Sequence, residues 1–178
     1  MDPETPVRLE YDDQTYVLRK GVWYDTGFLA ASNVVQNKLN ALYSSRLDYS
    51  SMTLSKMLAI ADGYKASESY DLAIQVYQKS LTVCSVEDAR YILPRITSCY
   101  RSTNQSHKAI AVNHEARQRF GMEAISPALL TSIAAAYCDI LEYENARKCC
   151  DWAYAMLKGK SSPELSNVYG RIEKEQRP

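Results

Sequence analysis

Bulky apolar residues recur at three- and four-residue steps along most of this chain. The pattern is clearest in three segments: TLSKMLAIADGYKASESYDLAIQVYQKSL from Thr53, ARYILPRITSCYRSTNQSHKAIAVNHEAR from Ala89 and SPALLTSIAAAYCDILEYENARKCCDWAY from Ser126. Each carries a tyrosine (Tyr64, Tyr100, Tyr137), an isoleucine four residues earlier (Ile60, Ile96, Ile133) and a bulky residue seven earlier (Met57, Leu93, Leu130). Positions separated by three and four residues share one face of an α-helix. A polar stretch follows (KASESYD, TNQSHK, ILEYEN), and then a second helical pattern with a small residue near its start: Ala73, Ala109 and Ala146. A small side chain there lets two helices approach closely. The pattern therefore predicts a helical hairpin repeated at steps of 36 and 37 residues, from Tyr64 to Tyr100 and from Tyr100 to Tyr137.

Helix-start signals fit this frame. Thr53, Ser126 and Ser162 stand at equivalent positions, and Pro127 and Pro163 directly follow the last two. A hydroxyl at the cap accepts from amides that have no partner within the helix, and proline at the first helical position gives up no hydrogen bond. The second unit departs, with Ala89 at the cap position and Pro94 five residues on. Its first helix is expected to start late or to kink at Pro94.

The first 25 residues have a different period. VRLEY alternates, DDQ supplies a turn, TYVLR alternates again and KG precedes VWY, which predicts a β-hairpin or three-stranded meander confined to about residues 7 to 24. Its aromatics, Tyr11, Tyr16, Trp23 and Tyr24, are expected to pack on the first helix, because an isolated hairpin is marginal in water. Asp13 falls in the predicted turn, where substitution is expected to change stability little. From Phe28 to Leu47, residues Leu29, Val35, Leu39, Leu42 and Tyr43 share one helical face, with Asp25 or Thr26 as cap. This helix and a second from Ser162 to about Glu175 are expected to cover the two ends of the array.

The three segments resemble the tetratricopeptide repeat, a helix-turn-helix unit whose signature is a set of small and large positions. The resemblance covers residues 53 to 160, with a degenerate further unit at SPELSNVYGRIEKE, where Tyr169 and Gly170 occupy the places of Ile133 and Ala134. The helix-ending proline is absent after all three units, and the large aromatic of the second helix is present only as Tyr77, with Asn113 and Cys150 elsewhere. The implied fold is mainly α: a short helical-repeat solenoid of antiparallel helix pairs, preceded by the small β element. Residues 1–49 form the β element and capping helix, 50–160 the three repeats and 161–178 the C-terminal capping helix.

Composition bounds function by exclusion. Lysine plus arginine (21) equals aspartate plus glutamate (21), so the chain lacks the basic excess that draws a protein to nucleic acid or anionic lipid. The N-terminus is acidic and no apolar run is long enough to span a bilayer. Five cysteines without a C-x-x-C pair fit a reducing, cytoplasmic setting, with the adjacent Cys149 and Cys150 read as packing residues. Phosphate-loop, dinucleotide, zinc-protease and nucleophile-elbow motifs are missing, so no enzyme is expected. His107 and His114 are seven apart, about 10 Å along a helix, which is too far for both to reach one zinc ion. No metal or cofactor is expected.

Charge is unevenly placed. Residues 85 to 121 hold six basic side chains (Arg90, Arg95, Arg101, Lys108, Arg117, Arg119) against three acidic (Glu87, Asp88, Glu115). In tetratricopeptide proteins the first helix of each unit lines a concave groove, through residues two before and one after the tyrosine. The resemblance thus implies a partner-binding face of Asp62, Lys65, Ser98, Arg101, Ala135 and Cys138, with Leu58, Arg95 and Thr131 on or beside it. One subfamily clamps the C-terminal carboxylate of heat-shock chaperones, but Leu58, Asp62, Arg95, Ala128 and Ser132 stand at the clamp positions and none is the clamp residue. The expected function is an adaptor or scaffold that takes a partner's helix or peptide, favoured when acidic, with Arg101 facing the groove and Arg95 reaching in from its edge. The alternatives are self-association through an end helix or hairpin edge and, less favoured at zero net charge, RNA binding.

Overall fold

The N-terminal alternation becomes a three-stranded antiparallel meander: β1 (Arg8–Tyr11), β2 (Gln14–Arg19) and β3 (Val22–Asp25). The computed structural model describes residues 6–175. Both connections are two-residue turns in the left-handed region, with Asp12 and Asp13 at φ 52° and 57° and Lys20 and Gly21 at 49° and 81°. That geometry matches the twist of the strands it joins. Gly21 is also required by space, since a Cβ there would lie 3.0 Å from the Gly63 Cα.

Leu9, Tyr16 and Trp23 point from the sheet to one core with Leu39, and Val35 and Tyr43 pack against it from α1 (Asn33–Ser45). Trp23 and Tyr43 meet edge to face, with ring centroids 5.9 Å apart. Tyr11, Tyr16 and Trp23 thus pack on the first helix as expected, against Val35, Leu39 and Tyr43 of its expected face, whereas Tyr24 is not part of this core and the helix starts later. Its cap is Ser32, not Asp25 or Thr26. Leu29 precedes it at 71% exposure, and the buried residues of α1 are Gln36, Leu39 and Asn40.

The polar pair on that face has a structural cause. The Trp23 backbone N–H donates to Gln36 Oε1, and Gln36 Nε2 donates back to the Trp23 carbonyl, both at 2.9 Å. Gln36 therefore stands where a neighbouring strand would, and with Leu29–Ala31 it covers the outer edge of β3. Asn40 accepts from the Trp23 indole at 2.8 Å and donates to Ser67 and Ser69, at the turn between α2 (Leu54–Ala66) and α3 (Tyr70–Leu81).

The chain divides into two compact units, the first ending at Ser80 and the second beginning at Leu81. The second consists of α4 (Val86–Ser102), α5 (Ser106–Phe120), α6 (Pro127–Asp139), α7 (Tyr143–Met156) and α8 (Pro163–Glu175). Helix α6 packs against all four of the others. Its Leu129, Leu130, Ile133, Ala134 and Ala136 are wholly enclosed, as are Ala109 and Ala146 on the second helices of their hairpins. The small positions of the repeat are therefore buried where the frame put them. Thr53, Ser126 and Ser162 each accept from a backbone N–H three residues on, at 3.4, 3.2 and 3.1 Å. The second unit's start differs from expectation: α4 begins before Ala89, capped by Ser85 in a reciprocal capping box with Asp88, and runs on through Pro94.

What repeats most faithfully is the turn. The carbonyls of Tyr64, Tyr100 and Tyr137 accept from the N–H five residues on, of Ser69, Gln105 and Glu142, at 2.8, 2.8 and 2.9 Å. In each the residue before that donor is left-handed: Glu68 at φ 59°, Asn104 at 58° and Leu141 at 64°. This is the hydrogen-bonded helix ending that satisfies otherwise unpaired carbonyls and reverses the chain. No helix among the described residues is long and apolar enough to cross a membrane.

Candidate functional site

Each α4, α6 and α8 helix carries one member of a charged cluster in the second unit. Arg101, at the end of α4, donates from Nε to Asp139 Oδ2 at 2.6 Å and from Nη2 to Oδ1 at 3.3 Å. Arg171, on α8, donates from Nη2 to the same Oδ1 at 2.7 Å. The three side chains are partly enclosed, at 26%, 26% and 38% exposure for Arg101, Asp139 and Arg171. Burial works to raise the Asp139 carboxyl, but the hydrogen bonds and charges of Arg101 and Arg171 outweigh it and hold the group below the usual carboxylate range. Burial likewise disfavours the Arg171 cation, and its bond to Asp139 more than compensates.

These residues line an open cleft of about 870 Å³ with Ser98, Cys138, His107, Lys174 and Glu175. Two guanidinium groups face one carboxylate, while Lys174 and Glu175 offset each other, so the cleft keeps a cationic bias. A guanidinium carries five N–H donors. Arg101 uses two N–H groups on Asp139 and Arg171 uses one.

Of the residues expected on the binding face, Ser98, Arg101 and Cys138 come together here. Cys138 is buried, and its thiol is pushed up by burial. Thr131 lies outside the cleft lining, enclosed, with its hydroxyl donating to the Pro127 carbonyl at 2.8 Å. Arg95 is folded onto its own helix, its guanidinium 3.3 Å from the centroid of the Tyr91 ring and Nη1 donating to the Tyr91 carbonyl at 3.0 Å. In the first unit Asp62 accepts from the Tyr77 hydroxyl, joining α2 to α3, while Leu58 and Lys65 are half-buried on α2. Cys150 is wholly buried and its thiol is pushed up to about 12, chiefly by burial, while burial also raises Cys149. Both stay protonated, as packing residues do.

Asp139, Arg171 and Lys174 were not among the expected residues, yet a signal for two of them was present. Tyr169 and Gly170 take the places of Ile133 and Ala134, so Arg171 takes that of Ala135 and Lys174 that of Cys138. The rule of two before and one after the tyrosine, carried into the degenerate fourth unit, points to both. Asp139 lies two after Tyr137, outside that rule.

No protein-family model and no curated protein matches this sequence. Among solved structures the chain is similar to the tetratricopeptide domain of Sgt2 from Aspergillus fumigatus, with a TM-score of 0.60 and 15% identity over 68% of this chain and 78% of that one. At that identity the likeness is one of fold, and the chain has a tetratricopeptide-type fold.

Proposed function

We propose that this chain is a non-catalytic protein-interaction module whose second unit takes an acidic helix or extended segment of a partner in the Arg101–Asp139–Arg171 cleft. The observation that carries this reading is the sharing of one carboxylate by two guanidinium groups. Asp139 fixes both planes in advance, which lowers the ordering cost when a partner's carboxylate joins them. The tetratricopeptide-type fold supports the class, since such helical arrays present extended surfaces suited to protein segments.

Arg101→Glu is a poor probe, because it would set a glutamate against Asp139 and unsettle α4, α6 and α8 together. Arg171→Gln combined with Lys174→Gln lowers the cationic bias while leaving the Arg101–Asp139 pair in place. Affinity capture from native lysate, followed by mass spectrometry, is expected to recover partners with the parent chain and to lose them with this variant at unchanged helical content. Undiminished recovery would place the binding surface elsewhere.

A further inference from the structure

The segment between β3 and α1 presents apolar side chains to solvent on a rigid support. Phe28 is 67% exposed and Leu29 71%, and Val34 in the first turn of α1 is 70% exposed. The segment is held by its own hydrogen bonds. The Phe28 N–H donates to the Asp25 carbonyl at 3.1 Å, the Leu29 N–H to the Asp25 carboxylate at 2.8 Å and the Asp25 N–H to the Leu29 carbonyl at 2.9 Å. Gly27 leaves room for that carboxylate, since a Cβ there would lie 3.3 Å from Asp25 Oδ1.

Phe28 itself sits at φ 64°, a region that glycine or asparagine occupies readily and a bulky side chain only under strain. The turn itself does not call for a phenylalanine there, and the ring is not enclosed by the core. Its neighbour is a cation: the Arg19 guanidinium lies 4.7 Å from the ring centroid. From Thr26 to Leu47 the sequence contains no acidic residue, whereas Lys38 and Arg46 fall within it. Leu141 is as strained and as exposed, but among the described residues only at Phe28 do strain and exposure come together with a second exposed apolar side chain, Leu29, and a cation on the ring, a combination that marks a contact site.

We propose that Phe28 and Leu29 anchor this unit in an apolar pocket of a partner protein whose rim carries carboxylates that meet Arg19. A protein pocket suits the arrangement better than lipid, because a hydrogen-bonded tip that aims one aromatic ring matches a shaped cavity, whereas a bilayer surface rewards apolar area without regard to shape. This surface is distinct from the Arg101 cleft and stands independently of it.

The test pans a display library of folded scaffold domains with randomised concave surfaces on the full chain, with counter-selection on Phe28→Gly to remove binders that dock elsewhere, the Arg101 cleft included. The expected binders carry an apolar pocket rimmed by aspartate or glutamate, and lose about tenfold or more in affinity for Arg19→Glu and for Leu29→Ser. Phe28→Gly is expected to melt about 2–4 °C higher than the parent, because the left-handed strain is released. Several outcomes overturn the proposal. They are a Phe28→Gly chain that melts lower, which makes the ring structural, no binders surviving counter-selection, or recovered binders indifferent to Arg19→Glu and Leu29→Ser. Phe28-dependent sedimentation with phosphatidylcholine–phosphatidylserine vesicles would assign the tip to lipid instead.

Discussion

At the scale of single residues, the left-handed positions decide most of what the sequence did not disclose. The three hairpin turns of the repeat share a geometry but not a residue: Glu68, Asn104 and Leu141. Only asparagine advertises such a position, so the turns were legible as polar gaps and not as closed helix endings. Leu141 is the least suited of the three, being bulky, left-handed and 71% exposed, with little burial in return. A left-handed L-residue costs about 1–2 kcal/mol, part of which glycine gives back through its greater freedom in the unfolded chain. Leu141→Gly is therefore expected to stabilise by about 0.5–1 kcal/mol, read as a rise in the urea midpoint at constant slope. The same physics corrects the expectation that Asp13→Ala is silent. Asp13 lies at φ 57°, and alanine lacks the local hydrogen bonding that lets aspartate tolerate it, so the variant is expected to lose about 1 kcal/mol.

Elements were legible where their period was clean. Alternation located the meander, and three- and four-residue steps located the hairpins, because both periods follow from backbone geometry alone. On α1 the core face of Val35, Leu39 and Tyr43 was legible, but a hydrophobic rule assigns Gln36 and Asn40 to solvent, whereas here they answer the backbone and indole groups of Trp23. Polar groups buried for the sake of another element leave no periodic trace. The start of α4 departs for a related reason: the repeat frame puts its cap at Ala89, while the Ser85–Asp88 box begins four residues earlier. The role of Gln36 has a measurable size. Gln36→Ala removes two hydrogen bonds to the edge of β3 and leaves the Trp23 N–H enclosed without that acceptor, at an expected cost of about 2–4 kcal/mol. Gln36→Glu keeps the acceptor but sets a carboxylate against the Trp23 carbonyl, and should recover only part of the loss. Thermal melts followed by tryptophan fluorescence check both, and a Gln36→Ala chain as stable as the parent would remove the edge-covering role.

At the scale of the whole molecule, a net charge of zero conceals how the charges are placed. The basic excess of residues 85 to 121 was visible in the sequence, but most of it is engaged: Arg90 with Glu87, Arg95 on Tyr91, Arg117 over Trp152 and Arg119 on the Leu81 carbonyl. Arg101 is engaged too, but by a carboxylate that it shares with Arg171, and that sharing ties α4, α6 and α8 into one electrostatic unit. The tie predicts a pH dependence. The folded Asp139 carboxyl titrates below its unfolded value, so the unfolded chain takes up its proton first as pH falls. The stabilisation is therefore complete above the unfolded value near pH 4 and disappears as pH drops through the lower, folded one. Asp139→Asn is expected to be about 1–2 kcal/mol less stable than the parent at pH 7, the range for hydrogen bonds to charged groups at a partly exposed site. Raising the salt concentration should narrow that difference, because the cluster is open enough to be screened. Once pH falls below the folded value the two chains should converge, since the protonated parent then presents a neutral group to the same arginines. Urea unfolding at a series of pH values gives the comparison directly. Parallel stability curves from pH 7 to pH 3 would mean that the carboxylate contributes nothing to holding the three helices together.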